Sequence, residues 1–123
     1  MSTIDLNADV GEMDAALDSR ILGLVSSVSI ACGGHAGDDA SMRRVAGGAA
    51  ERGVRIGAHP SLVDPDGFGR TRQEVPADML RRQIRDQIRR RCADDVGLPP
   101  LVPHHPPRCR RSGREHVRGA AGA

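Results

Sequence analysis

Three short stretches of this chain alternate apolar residues with polar or small ones, and a helical stretch follows each. Ile4, Leu6, Ala8 and Val10 interleave with Asp5, Asn7 and Asp9. Val28, Ile30 and Cys32 interleave with Ser29, Ala31 and Gly33, and Val54, Ile56 and Ala58 with Arg55 and Gly57. A period of two marks a strand with two unlike faces. The first helix is expected over roughly Asp14 to Val25. The second runs from a cap at Asp39 or Ser41 to Arg52, with Gly53 as its stop. The third begins at Pro76, where a first helical turn tolerates proline, carries Leu80, Ile84 and Ile88 as its apolar stripe, and ends at Gly97. The order βαβαβα calls for a parallel sheet.

The parity of the strands says which kind of sheet. One parity is apolar on all three. The other carries Asp5, Asn7 and Asp9, then Ala31, Gly33 and His35, then Arg55, Gly57 and His59. An open doubly wound sheet is covered by helices on both faces and wants both parities apolar. Small and polar side chains on one face, charged toward the strand ends, suit the lumen of a barrel whose site lies at its C-terminal mouth. The expected fold is therefore α/β, three βα units of a (β/α) barrel, occupying residues 1–98.

The last 25 residues depart from this pattern. Residues 99–123 hold five of the eight prolines, show no apolar period and are expected to be a disordered tail. They also distort the net charge. Residues 1–98 carry 13 Arg against 15 acids, and the tail 5 Arg against one Glu, so the formal +2 belongs to the tail. The first 98 residues offer no basic footprint for nucleic acid. The arginines from Arg81 to Arg91 alternate with Asp86 and read as a solvated helix face. No apolar run approaches the ~20 residues that span a bilayer, and the N-terminus lacks a signal-peptide pattern. Three cysteines without a Cys-x-x-Cys pair argue against a disulfide framework or zinc ribbon. Cys32 reads as a small buried hydrophobe. A cytoplasmic setting without membrane contact is expected.

Three blocks carry the chemistry. In Asp5-Leu-Asn-Ala-Asp-Val-Gly-Glu12, a strand ends in two carboxylates and a glycine, which places Asp9 and Glu12 at a cleft mouth; the plainer reading is a helix cap and a solvated acid. In Ala31-Cys-Gly-Gly-His-Ala-Gly-Asp38, Gly33 and Gly34 allow close backbone approach beside His35, with exposed N–H groups suited to an anion; a tight turn around a structural His is the alternative. In Gly57-Ala-His-Pro60 and Asp64-Pro-Asp-Gly-Phe-Gly-Arg70, His59 leaves its strand on the polar parity. Arg70 can clamp a carboxylate or phosphate, or remain solvated. Phe68, the one aromatic residue, sits between two glycines in what reads as a lid or interface. Two histidines and a carboxylate from three strand ends permit acid–base work or a divalent metal on Asp9, His35 and His59, without a zinc-finger spacing to require it.

These blocks, in this order and spacing over residues 4 to about 98, resemble the LamB/YcsF family. The resemblance implies a (β/α) barrel of seven repeats, distantly similar to carbohydrate deacetylases. It implies service as the A-subunit of an ATP-dependent 5-oxoprolinase, opening 5-oxoproline to L-glutamate together with subunits B and C. It places Asp9, Glu12, His35, His59 and Arg70 at the site, with ATP as co-substrate. No Walker-type Gly-x-x-x-x-Gly-Lys-Ser occurs, so ATP would bind in a family-specific way or with a partner's help.

The chain departs from the family in three places. The loop after Glu12 is short, and Gly34 stands where an aromatic is frequent. After Gly97 the family continues into a further strand and a Lys-Pro-His-Gly-Ala-Leu-Tyr block, whereas here Leu101-Val-Pro-His-His-Pro-Pro-Arg-Cys109 follows. A frameshift in GC-rich codons accounts for that tail, and a truncated paralogue is the rival account. Either way the 123-residue chain is expected to be inactive alone. Two other functions stay open: a metal-dependent, deacetylase-like hydrolase, and a non-enzymatic fragment.

Overall fold

The structure, a computed structural model, describes residues 2–93 of the 123-residue chain. The expected helix stop at Gly97, the domain limit at residue 98 and the disorder expected of residues 99–123 lie outside the described residues. The elements follow the order expected: β1 (Asn7–Val10), α1 (Ala15–Leu22), β2 (Ser27–Ala31), α2 (Asp39–Glu51), β3 (Arg55–His59) and α3 (Ala77–Ala93). Among the described residues the strands form one sheet in the order β1-β2-β3, parallel throughout. Asn7 lies opposite Ser27, and Ser27 opposite Arg55. Val10 pairs with Ile30, and Ala31 with His59.

The apolar parity packs against α1 and α2. Val10, Val28, Ile30, Cys32, Met42 and Val45 are fully buried, with Leu22, Ala46, Ala49 and Val54 completing the core. Each large member contributes about 1.5–3 kcal/mol by leaving water. The polar parity forms a hydrogen-bonded ladder on the other face. Asn7 Nδ2 donates to Ser27 Oγ at 2.9 Å, and Ser29 Oγ donates to Asn7 Oδ1 at 3.2 Å. Asp5 accepts from the hydroxyls of Ser26 and Ser27 at 2.6 and 2.8 Å, and Arg55 lies 2.7 Å from it. Those hydroxyls hold the Asp5 carboxyl below its ordinary range.

Local chemistry sets the helix limits. Asp14 caps α1 by accepting from Leu17 N at 2.8 Å, and Gly23 ends it. The cap of α2 is Asp38, not Asp39 or Ser41 as the spacing suggested. Asp38 Oδ1 accepts from Ser41 N, and Asp38 N donates to Ser41 Oγ, each at 2.8 Å. This reciprocal box satisfies two donors that a cap at Asp39 would leave open.

Two further expectations need correction. β1 begins at Asn7, not Ile4, because its partner strand begins at Ser27; Ile4 is 87% exposed and Leu6 54%. The arginine-rich face of α3 is not wholly solvated either. Arg91 is completely buried and Gln87 nearly so, while Leu80, Ile84 and Ile88 are only half-buried. No described helix is long and apolar enough to cross a membrane.

Candidate functional site

Each β-strand hands its chain to a loop at the same end of the sheet, and these three loops build the site. After β1, Gly11 takes a φ of +75°, which favours glycine, and turns the chain so that Glu12 faces inward. Asp18 pins this turn. Its Oδ1 accepts from Gly11 N at 2.9 Å, while Arg44 Nη2 donates to Oδ2 at 3.2 Å. After β2, Gly33 N donates to Ala36 O at 2.9 Å, closing a tight turn that points His35 at Glu12. Gly37 lies so near Gly11 that a Cβ would sit 3.0 Å from the Gly11 carbonyl oxygen, which locks the two loops together.

The loop after β3 folds around Asp64. Its Oδ1 accepts from Gly67 N at 3.0 Å, and its Oδ2 from Thr71 N at 2.9 Å. The Thr71 hydroxyl and backbone, with Gly67 N, keep the Asp64 carboxyl below its ordinary range. Asp64 N donates to Gly34 O at 3.0 Å, tying this loop to the glycine turn. Phe68 is the only non-glycine residue with positive φ among those described, at +54°. That conformation costs an aromatic residue energy. It brings the Phe68 ring edge-on to His35, with centroids 4.9 Å apart and planes at 89°.

At the centre, His35 Nε2 lies 2.6 Å from Glu12 Oε1, and His35 Nδ1 lies 2.9 Å from Ser61 Oγ. His35 is 4% exposed, Glu12 18% and His59 33%. The two imidazoles sit 4.7 Å apart. Nδ1 of His59 is buried and faces Glu12 Oε1 at 3.3 Å and Asp9 Oδ1 at 3.7 Å, yet makes no hydrogen bond among the described residues. A pair of imidazoles against one sheltered carboxylate can move a proton to or from a bound molecule.

Of the residues singled out by the sequence, Glu12, His35 and His59 converge, with ligand atoms all within 4.8 Å of one another. Asp9 stands at the exposed rim beside His59. Arg70 is exposed, its guanidinium 5.7 Å from the Phe68 ring centre. Gly33 has a φ of +86° and forms the turn. At Gly34 the close neighbours are protein atoms: a Cβ would lie 2.5 Å from Ser61 Oγ and 2.6 Å from Gln87 Oε1. Ser61, Gln87, Asp18 and Asp64 were not anticipated. Ser61 and Gln87 come together across 26 residues, a pairing that neither spacing nor periodicity records. Cys32 is free and buried as expected, donating to Ile30 O, and burial pushes its thiol pKa up.

Comparisons with known proteins agree with this arrangement. Residues 4–94 match the model of the LamB/YcsF family. The chain is 52% identical over 89 residues to the 5-oxoprolinase A-subunit of Streptomyces avermitilis, covering 69% of this chain and 36% of that protein. It is 51% identical over 89 residues to the 5-oxoprolinase A-subunit of Streptomyces coelicolor, with the same coverage. The crystal structure of the lactam utilization protein from Thermus thermophilus superimposes with a TM-score of 0.72 at 36% identity, over 80% of this chain and 42% of that one. The matched region thus spans well under half the length of these relatives.

Proposed function

Because the chain belongs to the LamB/YcsF family, we propose that it supplies the acid–base wall of a 5-oxoprolinase A-subunit, opening the lactam of 5-oxoproline to L-glutamate. The observation that supports this most is the Glu12–His35–His59 cluster at the C-terminal ends of three parallel strands. In the reaction, the ring C–N bond breaks, water oxygen adds to the carbonyl carbon, and the leaving nitrogen takes a proton. Glu12 or His59 accepts the proton of the attacking water, and the Glu12–His35 pair returns one to the nitrogen. An unstrained amide resists this step. Transfer of the terminal phosphoryl group of ATP to the amide oxygen, releasing ADP, would activate the ring carbon toward water. Loss of the ring nitrogen would then leave an acyl phosphate, which a second water converts to L-glutamate and inorganic phosphate, and Arg70 at the rim is suited to meet a phosphate or carboxylate.

The sheet is proposed to be part of a seven-repeat (β/α) barrel. The enzyme would act in the cytoplasm with subunits B and C. The described strands form one wall only, so we expect no turnover from the 123-residue chain alone. A chimera carrying residues 4–94 of this chain in the Streptomyces avermitilis A-subunit tests the reading, assayed for glutamate release with ATP and both partner proteins. The chimera should be active, and Glu12→Gln or His35→Gln should lower kcat by about 10²–10⁴-fold. A folded but inactive chimera, or variants that match it, would overturn the reading.

A second reading, a metal-dependent deacetylase-like hydrolase, is favoured by the buried Nδ1 of His59 that makes no hydrogen bond among the described residues. Two imidazoles and a carboxylate suit zinc and similar divalent ions. Glu12, His35 and His59 would hold the ion, with Asp9 beside them, and the ion would supply Lewis-acid activation. Metal analysis of the purified protein before and after chelation decides between the two. About one equivalent of tightly held metal would favour the second.

A further inference from the structure

Behind the candidate site lies a hydrogen-bonded clasp that the acid–base chemistry does not itself use. Gln87, on α3, grips the backbone of Ser61 at both ends. Ser61 N donates to Gln87 Oε1 at 3.0 Å, and Gln87 Nε2 donates to Ser61 O at 2.8 Å. Gln87 is 5% exposed, so these bonds form away from competing water. The Ser61 hydroxyl then has two neighbours, Leu62 O at 3.0 Å and His35 Nδ1 at 2.9 Å. A hydroxyl carries a single hydrogen. The Leu62 carbonyl can only accept; with the hydroxyl hydrogen directed to it, Ser61 Oγ is an acceptor toward His35 Nδ1.

We infer that Ser61, clamped by Gln87, is a positioning residue that keeps a hydrogen on His35 Nδ1 and turns Nε2 to Glu12 Oε1, 2.6 Å away, so that the reactive proton is the one those two atoms share. The geometry supports this independently at Gly34. Its α-carbon packs so closely on the clasp that a Cβ would fall 2.5 Å from Ser61 Oγ, 2.6 Å from Gln87 Oε1 and 2.9 Å from Ser61 O. Gly69 closes the other side of the imidazole, where a Cβ would lie 2.9 Å from His35 Cβ. The ring is thus held by a hydrogen bond at each nitrogen, by Phe68 at its edge, and by two glycines whose missing side chains let the walls approach. Imidazoles that react or bind metal are oriented through their other nitrogen in this manner. The inference rests on His35 being the reactive group, and it holds under either reading of the site.

The experiment is nitrogen-15 NMR of the His35 imidazole in the 123-residue chain, comparing wild type with Ser61→Ala and Gln87→Met. Wild type should show a protonated Nδ1 whose hydrogen exchanges slowly with water. Ser61→Ala should raise that exchange at least tenfold and admit the form whose only hydrogen is on Nε2, and Gln87→Met should do the same to a smaller degree. Backbone amide shifts in α2 should stay in place, which separates the effect from unfolding. A bare Nδ1 in wild type, or an unchanged Nδ1–H signal in Ser61→Ala, overturns the proposal. If Ser61→Ala does not fold, the wild-type tautomer and Gln87→Met still decide. In the chimera, Ser61→Ala should lower kcat by about 10–100-fold with little change in KM. Absence of turnover by the unsubstituted chimera would overturn the lactam reading and leave the imidazole result standing.

Discussion

Replacing Gly34 with alanine should destabilise the chain, while replacing Gly47 with alanine should stabilise it, and the structure supplies both magnitudes. Gly34 does not have positive φ, so alanine meets no backbone strain there and its cost is steric. The new methyl would sit 2.5 Å from Ser61 Oγ, 2.6 Å from Gln87 Oε1 and 2.9 Å from the Ser61 carbonyl oxygen, all shorter than real contacts allow. Overpacking of this kind costs about 1–3 kcal/mol. If the side chains give way instead, the two Gln87–Ser61 hydrogen bonds are lost at about 1 kcal/mol each. Both routes lead to about 2 kcal/mol, a large share of the ~5–15 kcal/mol that holds a domain together. At Gly47, inside α2, a Cβ meets nothing within 4 Å. Alanine there gains about 0.5–1 kcal/mol by restricting the unfolded chain. Urea unfolding of the purified chain, followed by far-UV circular dichroism, reads both. With a slope of about 1–3 kcal/mol per molar urea, the two midpoints should separate by roughly 1 M or more. Coincident midpoints would refute the packing argument at Gly34 and weaken the clasp with it.

Other parts of the molecule carry tests of their own. Asp18→Ala leaves the Gly11 N–H buried without its acceptor and should cost about 1–3 kcal/mol, read as a lower urea midpoint. Asp5, Asp38 and Asp64 all have lowered folded-state pKa values, so their stabilisation is present above the ordinary carboxylate value and lost as pH falls through the lowered ones. Stability should therefore fall below about pH 4, and Asp64→Asn should shrink the difference between urea midpoints at about pH 5 and about pH 3; an unchanged difference counts against the hydrogen bonds assigned to Asp64. Burial raises the Cys32 thiol pKa, so peptide mapping after iodoacetamide at neutral pH should find Cys32 unmodified until denaturant is added.

The order of elements and the two faces of the sheet were legible because each rests on short-range periodicity. Val10, Val28, Ile30 and Val54 are buried on one parity, while Asp9, Ser29 and Gly57 share a row on the other. The same reasoning failed at Ile4 and Leu6. Alternation states what a strand would look like, whereas the ladder itself starts at Asn7 opposite Ser27, and Leu6 meets Ser26 and Ser27 through its carbonyl and the Ser26 hydroxyl. Between Asp38, Asp39 and Ser41, three good capping residues stand within four positions, and only the reciprocal bonds of Asp38 and Ser41 decide among them.

The candidate site divides along the same line. Glu12, His35 and His59 were readable because His35 and His59 fall on the polar parity and Glu12 lies just past the end of β1, and parallel strands bring such positions to one end. Gln87 was hidden for a physical reason. It lies on a helix whose sequence looks like a solvated arginine-rich face, and an exposed glutamine and a buried one are written alike. Its burial follows only once α3 lies against the loop carrying Ser61. Gly34 offered an indirect trace, since a glycine beside a histidine signals that something comes close, and the structure identifies that neighbour as the clasp itself. A glycine at this point serves the histidine by letting its support approach. That relation predicts that Gly34→Ala and Ser61→Ala perturb the same imidazole resonance in the same direction. Asp18→Ala, acting on the Glu12 turn from α1, should leave the His35 Nδ1 hydrogen in place.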